Sequence, residues 1–78
     1  MIEKKIKEIM SAVFNIHADE IHDGTSTDSV EKWDSLGHMN LMVAIEEEFD
    51  IEFLDEDIPN LLNFRLIYLT IKEKLDED

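Results

Sequence analysis

Cysteine is absent from the 78 residues of this chain, so neither a disulfide framework nor a thiolate metal site can hold it together. Stability has to come from packing, which at this size leaves only ~3–5 kcal/mol. Long apolar runs are missing too. The longest extends from Leu41 to Ile45, too short to cross a bilayer, and Met1 leads straight into Glu3, Lys4 and Lys5 rather than into a signal peptide. A cytoplasmic protein without a membrane span is therefore expected. Basic residues are scarce: seven Lys and Arg face twenty Asp and Glu, for a net charge of −13. None lies between Lys32 and Arg65, while Asp34, Glu46, Glu47, Glu48, Asp50, Glu52, Asp55, Glu56 and Asp57 all do. Such a surface repels nucleic acid and anionic lipid and draws basic patches on protein partners.

What the chain does have is an ordinary apolar fraction, 44%, which supports a folded domain despite the charge. A single domain over residues 1–78 is expected. Ile2, Ile6, Ile9, Met10, Val13 and Phe14 form one stripe of a first helix running to about Ile16. From His17 to Lys32 the pattern dissolves into turn-forming residues around Asp23-Gly24, a connection too long to be inert, with Ile21 and Val30 as its anchors. A second helix spans about Ser35 to Phe49, with Leu41, Met42, Ile45 and Phe49 as its main core contribution. Its apolar face is wide enough for a central helix touching two neighbours, with Met39 and Val43 partly exposed. Ile51, Phe53 and Ile58 anchor the next segment, where one short turn, Asp55 to Ile58, should end at Pro59. Asn63 caps a last helix to about Leu75, with Phe64, Ile67, Tyr68, Ile71 and Leu75 inward and Leu69 helping to fill the core. No strand alternation stands out. The expected fold is all-α: three main helices, one short helix before the last, and a long loop between the first two.

The stretch Trp33-Asp34-Ser35-Leu36 opens the second helix. Asp34 and Ser35 are both good cap residues, and a serine there lies beside free N–H groups and the positive dipole end. That is a favourable place for an anion, including a phosphate ester on the serine itself. Asp34, Ser35 and His38 do not suggest a hydrolase: no Gly-x-Ser-x-Gly elbow is present, and His38 reads as a solvated side chain. Calcium-loop registers starting at Asp19 or Asp50 fail at Ile21, Val30 and Leu54. His17, His22 and His38 lack zinc-ligand spacing, so no metal site is expected.

The segment Trp33-Asp34-Ser35-Leu36-Gly37-His38-Met39, followed by Ile45-Glu46-Glu47-Glu48-Phe49, resembles the acyl carrier proteins and related phosphopantetheine-binding carrier domains. The likeness covers nearly the whole chain. It implies an acyl-carrier-like bundle and no catalysis. Ser35 would be the attachment point of 4′-phosphopantetheine, flanked by Asp34 and Leu36, and acyl groups would ride on the arm as thioesters. Partners would be a phosphopantetheinyl transferase, an acyl- or aminoacyl-loading ligase and acyltransferases with basic patches. They would meet Met39, Val43, Glu46, Glu47 and Asp55 on a monomer. The resemblance also implies a place in fatty acid biosynthesis or related lipid metabolism. Trp33 and Gly37-His38 depart from the carriers of bulk fatty acid synthesis and look closer to accessory carriers of specialised pathways. Gly37, which costs up to ~1 kcal/mol of helix propensity, would keep the surface beside the arm low. An aminoacyl or peptidyl carrier and an acidic adaptor without a prosthetic group are the alternatives.

Nine acids without a base between Trp33 and Phe64 repel one another in the folded state. Since screening at 0.1 M salt acts over about 10 Å, the melting temperature should rise from low to moderate ionic strength. A flat or falling melting temperature would show that this repulsion does not matter.

Overall fold

Ile6, Met10 and Phe14 recur at four-residue steps, and in the computed structural model, which describes residues 2–76, they form the buried seam of α1, Ile2–Phe14. Asn15 turns left-handed at φ 57°, and the Ile16 N–H returns to the Ser11 carbonyl at 3.2 Å. Asn is among the few residues that tolerate this conformation, so the helix stops two residues before the expected end. Ile16 still packs on the core.

A single 3-10 turn, Ala18–Glu20, interrupts the long connection that follows. Then come α2, Ser35–Phe49, a short 3-10 helix, Ile58–Asn60, and α3, Phe64–Asp76. The architecture is the all-α bundle expected, with the extra short helix before the last. One boundary differs. Pro59 does not end the short helix but sits inside it, where a missing N–H costs nothing because first-turn donors have no intrahelical acceptor.

Ile21 and Val30 pin the long connection to the core as expected, and Thr25 and Trp33 are buried with them. The backbone adds a second tie. Thr27 N–H donates to the Leu62 carbonyl at 3.1 Å and Phe64 N–H to the Thr25 carbonyl at 2.8 Å, which makes one antiparallel bridge between Ser26 and Asn63. A bridge this short carries no alternation for a sequence pattern to reveal.

Helix α1 packs against both α2 and α3, while α2 also meets the short helix through His38 and the Ile58 carbonyl. The wide apolar face of α2 divides as expected: Leu41, Met42 and Ile45 are buried, Phe49 is half-buried, and Met39 and Val43 are about half exposed. Asp50 closes α2 in the left-handed conformation, and the Ile51 N–H returns to the Glu46 carbonyl at 3.2 Å. Asn63 caps α3 by accepting the Leu66 N–H at 2.8 Å, as expected. Phe64, Ile67 and Ile71 are buried, with Tyr68 and Leu75 packed beside them. Leu69 is exposed rather than core-filling, because two residues from both Ile67 and Ile71 places it on the opposite side of the helix. Among the described residues no helix is long and apolar enough to cross a membrane.

Gly37 has a different reason from the one expected. It lies where α2 presses inward, and a Cβ there would fall 2.2 Å from the Lys32 carbonyl oxygen and 3.2 Å from the Phe14 ring. The contact that forbids a side chain is backbone, which no rotamer change relieves. Gly37→Ala should therefore lower the urea midpoint even though alanine gains ~1 kcal/mol of helix propensity. A raised midpoint would show that the Lys32 carbonyl yields easily.

Candidate functional site

Asp34 and Ser35 both qualified as caps, and the backbone decides between them. Asp34 is extended at φ −97°, ψ −168°, and its Oδ1 accepts the Gly37 N–H at 2.8 Å. Its carbonyl accepts the His38 N–H at 2.7 Å. With capping done by Asp34, Ser35 becomes the first residue of α2, exposed and not needed to satisfy the helix end. The first-turn N–H groups and the dipole give this position a positive potential. Leu36 beside it is 72% exposed.

Behind the serine lies a polar relay that the sequence did not announce. Trp33 is 2% exposed and His38 7% exposed. The Trp33 indole N–H donates to His38 Nδ1 at 2.9 Å, and His38 Nε2 lies 2.7 Å from the Ile58 carbonyl oxygen. An indole only donates and a carbonyl only accepts, so the imidazole accepts at Nδ1 and donates at Nε2. His38 is thus a buried crosslink, not the solvated side chain expected. Both ring nitrogens are engaged, and none remains to take a proton from the Ser35 hydroxyl. A signal was present: His38, Leu41, Met42 and Ile45 fall at helical core spacing, which puts the histidine on the buried stripe. Trp33 stacks on Phe14 with ring centroids 5.3 Å apart.

At 3.6 residues per turn, Leu36, Met39, Val43 and Glu47 rise along the side of α2 that carries Ser35. Met39 is 48% and Val43 49% exposed, so this face is apolar and open. A recess of about 450 Å³ adjoins Ser35, lined by Thr27, Trp33, Asp34, His38, Met39, Pro59 and Leu62. Val43 does not line it, and its far wall is Pro59 and Leu62, from the segment before α3.

The acids divide by what they touch. Glu46 is half-buried and accepts the Phe53 N–H at 2.8 Å, holding the segment after α2 against the helix. Glu48 pairs with Lys5 at 3.2 Å and Asp57 with Lys74 at 3.8 Å. The first, an exposed pair, contributes only ~0–1 kcal/mol. Among the described residues, Glu47 and Asp55 are exposed without an ion-pair partner, as are Asp50, Glu52 and Glu56. His17 and His22 are surface loop residues, as expected, and no group of three His, Asp or Glu among the described residues is placed to hold a metal ion.

No protein-family model matches the sequence. Individual proteins do. The acyl carrier protein of Buchnera aphidicola subsp. Schizaphis graminum (strain Sg) is 47% identical over 60 residues, covering 77% of this chain and 76% of that one. That of Buchnera aphidicola subsp. Baizongia pistaciae (strain Bp) is 36% identical over 72 residues, covering 92% of each. Among solved structures, the holo acyl carrier protein from Geobacter metallireducens superposes with a TM-score of 0.85 at 28% identity, over 95% of this chain and 85% of that one.

Proposed function

The chain belongs to the acyl carrier protein family, and from that membership we propose that it carries acyl groups on 4′-phosphopantetheine joined to the Ser35 hydroxyl. When attached, the arm supplies a terminal thiol that holds the cargo as a thioester. The observation that supports Ser35 is the division of labour at the start of α2: Asp34 satisfies the helix end, and the serine is left exposed on its first turn. The residues present suit such a group. A phosphodiester at Ser35 lies by the first-turn N–H groups and the positive end of the dipole. Leu36 and Met39 offer apolar surface beside it, and the adjoining recess gives it room.

The chain's own part is to bind and present. Asp34 orients the first turn. Leu36, Met39 and Val43 form an apolar strip, with Glu47 one turn beyond it and exposed Asp55 in the segment after α2, for the transferase, the loading ligase and acyltransferases with basic surfaces. Glu46 belongs to this proposed contact set through its outer edge while its carboxylate holds Phe53. Nothing in this role calls for a base, consistent with a His38 whose two nitrogens are occupied.

Incubation with coenzyme A and a broad-specificity phosphopantetheinyl transferase should add one arm by intact mass, and Ser35→Ala should add none. A wild type that stays unmodified would favour the adaptor reading, and a modified alanine variant would move the site.

The acidic border has its own measurement. Glu47→Gln should slow association with the transferase by roughly two- to threefold at low salt, with the difference fading as salt rises. An unchanged rate would leave the acids with solubility alone.

A further inference from the structure

The recess beside Ser35 ends on a floor made by Trp33 and His38, and the carrier role as proposed makes no use of that floor. We propose that the Trp33–His38–Ile58 relay closes the bundle to the cargo, so that this carrier serves short or polar acyl groups kept outside the core rather than long aliphatic chains drawn into it. The inference rests on Ser35 as the attachment point.

An inward route from the serine begins in this recess. Its rim is Asp34, Ser35, Met39, Pro59, Leu62 and Thr27, and its deepest side chains are Trp33 and His38. An aliphatic chain heading for the core must push one of those two aside. They are bonded in series, Trp33 to His38 at 2.9 Å and His38 to the Ile58 carbonyl at 2.7 Å. Displacing His38 would strand an indole N–H, an imidazole and a carbonyl together in a buried place, where unpaired polar groups are costly. An alkyl chain restores neither of the two bonds.

Retreat of the floor is blocked as well. Trp33 stacks on Phe14, and the Phe14 ring comes within 3.2 Å of where a Gly37 Cβ would stand. Phe14 is therefore wedged between Trp33 and α2. Met10, Leu41, Met42 and Ile45 are fully buried in the core, and an entering chain would have to displace such side chains to go further. What remains for the cargo is the open part of the recess, which presents the Asp34 carboxylate and Thr27 as well as Met39, Pro59 and Leu62.

Trp33 is the single tryptophan of the chain, so its indole N–H gives one unambiguous NMR signal. Holo-protein loaded with acetyl or with octanoyl should show the same indole shift, the same slow exchange with solvent and the same melting temperature. In His38→Ala, octanoyl should shift the indole signal and raise the melting temperature above that of the acetyl form. His38→Gln, which keeps one acceptor and one donor, should behave as wild type. An indole signal that moves or is lost on octanoylation of the wild type overturns the proposal, whether or not the variants fold. Intact mass keeps the two readings apart. If no arm can be attached, the carrier reading fails, and free octanoyl-pantetheine added to the unmodified protein then decides about the floor. An unmoved indole signal supports it, and a shifted one overturns it.

Discussion

The seating of Trp33 against Phe14 is the contact on which the serine end of the molecule depends. It brings the last residues of the long connection down onto α1 and aims the indole N–H at His38. It also fixes where Asp34 stands, one residue on, and hence which N–H groups its carboxylate and carbonyl take up. Through His38 the same contact reaches Ile58 and sets the wall of Pro59 and Leu62 opposite the serine. A residue two positions before the proposed attachment point thus positions three separate segments around it.

Much of this molecule was legible in its sequence, and the part that was not has a common cause. The stripes Ile6-Met10-Phe14 and Phe64-Ile67-Ile71 follow helical spacing, and Asn63 and Asp34 are caps of the usual kind, so helices and their starts could be read directly. Ser35 was reached by its place after a cap and by family likeness. What escaped were contacts between segments. The bond from Trp33 to His38 crosses a loop–helix junction, the Ser26–Asn63 bridge joins two irregular stretches, and the Lys32 carbonyl under Gly37 is backbone meeting backbone. None of these leaves a periodic trace. Leu69 differs for another reason: its size suits a core, but helical phase puts it on the solvent side of α3.

Charge and packing divide the surface of α2 rather than compete for it. Leu41, Met42 and Ile45 face inward, while Leu36, Met39 and Val43 form an apolar strip that solvent can reach. The acids lie along and beyond that strip, some tied down by Lys5, Lys74 or the Phe53 N–H. A face of this composition suits brief encounters: charge raises the rate of approach, and a narrow apolar strip limits how long the complex lasts.

The bridge between Thr25–Thr27 and Leu62–Phe64 bears on the order in which the molecule assembles. The helices need only near neighbours along the chain and form quickly, whereas this bridge and the His38–Ile58 bond must close large loops first. The rim around Ser35 therefore comes together only after those loops have closed. An enzyme that requires both the helix start and that rim would ignore a nascent or half-folded chain. Only the folded molecule presents Ser35 inside that rim.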